Sequence, residues 1–252
     1  GIERIDIAQS VWQPNMPQME SLYSIRGVFN PLQLANYAIY IGSVGYRGST
    51  LYNLLGVKYV IGGKEEPPAD TNIIVPVYDE DEQVTVYLNT VALPRANIVY
   101  NARVLPPGEA VFEAIHEETF DPLAEVILET GDGLQQDPGV GVIGVQRYDT
   151  NRAVFEVETD KPAYLLVSDI YHPHWRATVN GLDTRILQAN YALRAVPLQP
   201  GRQVVEMWYE PQGWRLGSGV TMVSLLVLLV IGGIFAWKSW KAYNNSPLTL
   251  NN

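Results

Sequence analysis

The chain has 252 residues, of which 47% are hydrophobic and only 17% charged, against roughly 25% charged in an ordinary globular domain. A net charge of −10 excludes a nucleic-acid surface, which needs basic patches to displace counterions. With no cysteine in the sequence, disulfide and thiolate chemistry are excluded as well.

The length allows one large or two small domains. Charge is uneven: residues 1–150 carry 8 Lys/Arg against 20 Asp/Glu, and residues 151–252 carry 9 against 7. Gly1–Trp12 lacks the basic start and apolar run of a signal peptide. The expectation is therefore a segment cut from a longer protein.

The first sixty residues read as helices and loops. Asn30-Pro31 is a helix start, with a capping Asn and Pro at the first helical position. LQLANYAIYI follows and is apolar nearly all round. Ser49 caps a second short helix through Leu55, and Gly56 supplies its left-handed end. VKYVI then reads as a strand and GGKEEPPAD as a loop.

NIIVPVYDEDEQVTVYLN is predicted to form two strands around an acidic turn. Leu93-Pro94-Arg95 opens an extended piece through Val104. PPGEAVFEAIHEE reads as a short amphipathic helix, AEVILE as a strand, and the Gly/Pro-rich TGDGLQQDPGVG as a linker. From Arg152 the pattern is β: AVFEVE, AYLLVSD, WRATVN, DTRILQ, YALRAV and QVVEMWYE. Short strands at this spacing predict a sandwich. Asn180-Gly181 is a hairpin turn of type I′, and Gln199–Arg202 turns the last pair.

Leu216 to Trp237 contains no charged residue and reads VTMVSLLVLLVIGGIFAW at its core. About 20 apolar residues span the hydrocarbon layer, so this is predicted to be a transmembrane helix, bracketed by the interfacial aromatics Trp214 and Trp237. Lys238 and Lys241 follow it, whereas Arg215 precedes it near Glu206 and Glu210. The positive-inside rule then puts SWKAYNNSPLTLNN in the cytoplasm and residues 1–213 outside. The expected organisation is a helical and loop segment at 1–62 and a β-rich region with one helix at 63–150. A β-sandwich at 151–213, the membrane helix at 214–238 and a tail at 239–252 complete it.

Four segments carry a resemblance. NLLGVKYVI (Asn53–Ile61), NTVALPRANIV (Asn89–Val99), the stretch from SDIYHPHW to MWYEP (Ser168–Pro211) and GVFNPLQLANY (Gly27–Tyr37) resemble, in the same order, the C-terminal part of the YfhO-like family of bacterial membrane proteins. The resemblance implies a large polytopic parent, similar to glycosyltransferases that use lipid-phosphate-linked sugars on the outer face of the membrane. It also implies work on teichoic acids or other envelope polymers, with the catalytic acid in an early loop beyond this sequence. No catalytic residue is carried over. The family commonly has a small residue where His174 stands.

Among residues that carry chemistry, His172 and His174 are the weak metal candidate. Their H-x-H spacing puts both on one side of a strand, but Pro173 interrupts it and no cysteine is near. Asp79–Glu82 reads as a solvated hairpin tip, because the glycine of a calcium loop is missing. Gly139, Gly141 and Gly144 spell G-x-G-x-x-G without the helix that holds a pyrophosphate, and so read as linker and strand start. No cofactor site is read.

The anion- or glycan-binding candidates are Arg176, Arg185 and Arg194. With turns at Asn180-Gly181 and Ala189-Asn190, the three would lie opposite one another across three strands on the exposed face. Leu182, Thr184 and Ile186 would share the buried face with Trp175, Ala177 and Val179. Opposed like charges destabilise, so either acids such as Glu156, Glu158, Asp169 and Glu206 neutralise the row or an anionic partner does.

The predicted fold class is mainly β (α+β), an extracytoplasmic sandwich region with short N-terminal helices and one C-terminal transmembrane helix. The expected partners are the lipid bilayer, the parent's preceding transmembrane helices, and a lipid-linked sugar or envelope glycan. The expected location is the bacterial cytoplasmic membrane. The alternatives are a single-span surface module binding glycan or protein, and a structural subunit of a membrane complex.

Overall fold

Apolar residues that alternate along strands on both sides of residue 150 decide the architecture, because they can be buried only between layers. The computed structural model describes residues 2–8, 10–13, 15–27, 34–69 and 72–244. It forms two compact units, Gly1–Tyr209 and Glu210–Asn252.

The first unit begins with β1 (Arg4–Ile7), α1 (Met16–Met19), β2 (Tyr23–Ser24), α2 (Ala35–Ser43) and α3 (Thr50–Leu54). It continues through β3 (Val57–Gly63), β4 (Ile74–Tyr78), β5 (Val84–Asn89), β6 (Ala96–Val99), β7 (Asn101–Val104), α4 (Glu109–Ile115) and β8 (Glu125–Leu128). The remaining strands are β9 (Gly141–Asp149), β10 (Arg152–Thr159), β11 (Ala163–Val167), β12 (Trp175–Val179), β13 (Leu182–Thr184), β14 (Leu187–Ala189), β15 (Leu193–Leu198) and β16 (Gly201–Tyr209).

Among the described residues three sheets result, ordered β2-β1-β3-β5-β4, β13-β12-β16-β10-β9 and β6-β11-β15-β14-β8-β7. The last of these is the central layer. One of its faces packs Leu165, Val167, Val196 and Leu198 against Phe155, Val157, Val205 and Met207 of the β13-to-β9 sheet. Its other face buries Leu166, Leu187, Leu193 and Ala195 with Leu54 and Val99. A third core joins α2, α3 and the β3–β5 strands to α4 through Tyr40, Tyr52, Val60, Val111 and Ile115. Strands from before and after residue 130 share the central sheet, so the glycine-rich stretch at 130–141 runs within this unit. A Cβ on Gly139 or Gly141 would come within 2.4 or 2.7 Å of the Tyr100 side chain. Close packing therefore accounts for Gly139 and Gly141, and Gly141 and Gly144 lie in β9, where a Cβ on Gly144 would meet only ordinary contacts.

Several local expectations hold. Ser49 accepts a hydrogen bond from the Tyr52 amide and caps α3, and Gly56 closes it at φ +70. Asn180 and Gly181 both take positive φ in the β12–β13 turn, with Val179 opposite Leu182. Two motif asparagines meet: Asn89 Nδ2 donates to Asn53 Oδ1 at 3.0 Å and to the Val57 carbonyl at 3.1 Å. The Asn30-Pro31 helix start lies outside the described residues, and α2 begins at Ala35. The first sixty residues also contain β1, which pairs in parallel with β2 and β3 and which a reading as helices and loops passes over.

The second unit is α5 (Gln212–Asn244), 33 residues long, or about 50 Å at 1.5 Å per residue. Its Leu216–Lys241 stretch is long and apolar enough to cross a membrane, and none of it is buried. Inside that stretch Thr221 and Ser224 return their hydroxyls to the carbonyls of Gly217 and Val220, so neither needs water. Lys241 lies over the Trp237 ring at 5.5 Å.

Candidate functional site

Asp169 follows β11 and continues the inward alternation of Leu165 and Val167, which puts a carboxylate at one end of the sandwich core. It is 7% exposed, and three arginines converge on it. Arg4, at the start of β1, reaches Oδ1 at 2.6 Å and also donates to the Leu55 and Ser168 carbonyls. Arg95, just before β6, donates Nε and Nη2 to Oδ1 at 3.0 and 2.8 Å. Arg194, on β15 opposite Val167, places Nη2 3.1 Å from Oδ2. The Tyr148 hydroxyl of β9 donates to the same Oδ2.

The electrostatics follow from this arrangement. Burial pushes the Asp169 carboxyl up, but Arg194, Arg4, Arg95 and the Tyr148 hydroxyl outweigh it and hold it well below the usual carboxylate range. Burial lowers Arg4 and Arg194, and Asp169 opposes that shift. Burial together with the Asp169 charge pushes the Tyr148 phenol up, so it stays a donor.

Aromatic rings wall this cluster. The Arg95 guanidinium lies 4.5 Å from the Tyr23 ring centroid and 4.4 Å from that of Tyr148. Arg194 lies 3.8 Å from the Trp175 ring. Trp175 starts β12 and pairs with Tyr209, where β16 ends, their rings 5.7 Å apart. These groups line a cleft of about 830 Å³, with Arg4, Arg95, Asp169 and Arg194 at its floor. Such a mix of apolar rings and a few convergent polar groups is what ligand sites present.

The structure separates the three predicted arginines. The turn after β14 falls at Asn190-Tyr191, both at positive φ, not at Ala189-Asn190. Arg194 therefore faces Gln188 rather than Arg185, and it points into the sandwich. The physical reason is that Asn190 tolerates the left-handed region and its Oδ1 accepts the Ile127 amide at 2.8 Å. The chain also changes sheets between β13 and β14, which leaves Arg185 exposed at the corner. Arg176 is exposed on the outer face opposite Trp208. Of the acids proposed to neutralise the row, Glu206 pairs with Arg152, Glu156 with Arg202, and Asp169 with Arg194. Leu182, expected on the buried face, is 74% exposed.

His172 lines the cleft and His174 stands beside it, their rings 4.7 Å apart and both against Tyr209. The His174 amide donates to His172 Nδ1 at 3.1 Å. Burial, and then His174, lower the His172 pKa. Among the described residues no group of three or more His, Asp or Glu has metal-binding geometry.

Sequence reasoning missed Arg4, Arg95 and Tyr148 as site residues and read Asp169 only as a neutralising acid. A signal was present: SD after AYLLV, R before ANIV and R inside YALRAV are charges set into apolar strand sequence. Such charges are buried only when paired.

Residues 143–221 match the family described as "Bacterial membrane protein YfhO". That span holds Tyr148, Asp169, Trp175, Arg194 and Tyr209, and Arg4 and Arg95 precede it. Over 118 residues the chain is 25% identical to "Uncharacterized protein YfhO" of Bacillus subtilis (strain 168), covering 45% of this chain and 12% of that protein. No solved structure matches the chain.

Proposed function

We propose that this chain is part of a membrane protein like those of the family matched at residues 143–221, and that residues 1–213 form an accessory, non-catalytic domain. It lies on the extracytoplasmic side of the cytoplasmic membrane and serves glycosylation of cell-envelope polymers. The parent's other segments would supply the chemistry and the lipid-linked sugar, and this domain would hold the glycan being modified or delivered.

The observation that carries the reading is the cleft, in which the rings of Trp175, Tyr209 and Tyr148 wall a floor of buried arginines. Aromatic rings offer a flat apolar surface with a polar rim, which suits the C–H face of a sugar ring, while fixed donors suit its hydroxyls. Asp169 is a poor general acid or base, because the surrounding cations keep it ionised and its oxygens are taken by Arg4, Arg95, Arg194 and Tyr148.

The test replaces Trp175 and Tyr209 together by Ala in the natural full-length protein. The sugar content of extracted envelope polymers is then measured at matched protein abundance. A drop of at least tenfold is expected, and unchanged sugar content ends the reading.

A further inference from the structure

Arg194 does not fit a purely structural role. It is 4% exposed, yet among the described residues its buried Nε and Nη1 have no hydrogen-bond partner, while Nη2 meets Asp169. Arg4 and Arg95, by contrast, spend their donors on Asp169 and on the carbonyls of Leu55, Ser168 and Ile2. Within the cluster three buried cations meet one carboxylate, so it carries an excess of two positive charges. The other acid lining the cleft, Asp149, is exposed and paired with Arg147. Buried guanidinium donors without acceptors are costly, and excess buried charge calls for a counter-charge.

We propose that the floor of this cleft is an oxyanion subsite. A phosphate- or carboxylate-type group accepts hydrogen bonds from Arg194 within the field of Arg4 and Arg95. Trp175 is the wall that controls access. It is half-buried, lines the cleft and lies over the Arg194 guanidinium, so turning its ring outward opens the unpartnered donors to the cleft. Asp169 positions the arginines and is not itself the ligand contact. A guanidinium suits such a group better than an ammonium, because its planar fork gives several directed donors. The inference stands apart from the glycan reading, since a neutral sugar could rest on the aromatic wall alone.

The test measures the melting temperature of the detergent-solubilised full chain in sodium phosphate and in sodium chloride at equal ionic strength. Phosphate is expected to raise the Tm in step with the logarithm of its concentration, as ligands selective for the folded state do, and chloride is not. Arg194→Gln is expected to abolish the rise, and Arg194→Lys, which keeps the charge without the fork, to weaken apparent affinity at least tenfold. Trp175→Ala is expected to retain the response to inorganic phosphate. Glucose 1-phosphate acting at lower concentration than phosphate would place the oxyanion on a sugar, and equal potency would make it a free ion. Equal effects of phosphate and chloride on the unaltered chain overturn the proposal. So does an undiminished phosphate response in Arg194→Lys, which serves if Arg194→Gln does not fold. Either failure leaves the glycan role to be judged by the envelope-sugar measurement.

Discussion

Asp169 is where one atom group holds the most structure together. It joins β1, the segment before β6, β15 and β9 through Arg4, Arg95, Arg194 and Tyr148. Removing one partner of a buried ion pair leaves an uncompensated charge, at a cost of about 3–5 kcal/mol. Asp169→Asn leaves three such cations and is expected to cost at least that much in urea denaturation, whereas Arg194→Gln, which removes a guanidinium with unpartnered donors, is expected to cost under about 1.5 kcal/mol. A larger loss from Arg194→Gln than from Asp169→Asn would reverse the roles assigned to them.

The pH sign follows from the same contacts. The folded Asp169 carboxyl titrates below its unfolded value of about 3.9. Its contribution is therefore fully present above that pH and is lost as pH falls through the folded pKa. The urea midpoint should stay level from pH 8 to 5, apart from the His172 effect below, and drop under about pH 4. His172 works from the other end, because its folded pKa is lowered, so acidification through the unfolded value of about 6.5 disfavours the folded form. His172→Gln should remove a small decline between pH 7 and 6 and leave the acid limb intact.

At the scale of elements, position along the chain was legible wherever local chemistry decides it. Ser49, Gly56 and Asn180-Gly181 each fix a cap or a turn through their own backbone preference. Register was not legible in the same way. Asn190 and Tyr191, rather than Ala189 and Asn190, make the second turn because Asn190 also bonds the Ile127 amide on β8, 63 residues away. An odd shift in register turns side chains to the other face, and here Arg194, expected opposite Arg185, pairs three residues further on with Gln188 and lies in the core. The site shares that fate. Its charges stand out in the sequence, but their meeting depends on pairings between segments more than 160 residues apart, such as Arg4 with Asp169.

Asn190→Ala should cost about 1–3 kcal/mol, because it strands the buried Ile127 amide and strains a left-handed position. The same loss should weaken phosphate binding by displacing Arg194. Unchanged stability would mean that the turn is set elsewhere.

For the whole molecule, sheet content and the long apolar helix were legible because both follow from hydrophobic period and run length. The interleaving of strands from 96–128 and 163–198 in one sheet was not, since it is a matter of topology. The proposed role of the cleft at the envelope requires residues 1–213 to lie on the outer side of the membrane. These 252 residues contain no cysteine, so labelling of each introduced one is read against the same protein without it. In cells producing the natural protein, Leu182→Cys, at a hairpin position that is 74% exposed, should react with a membrane-impermeant maleimide in intact cells. Ser246→Cys should react only after permeabilisation. The reverse pattern, with Ser246→Cys labelled from outside and Leu182→Cys protected, would contradict the placement and with it the envelope-glycan role of the cleft.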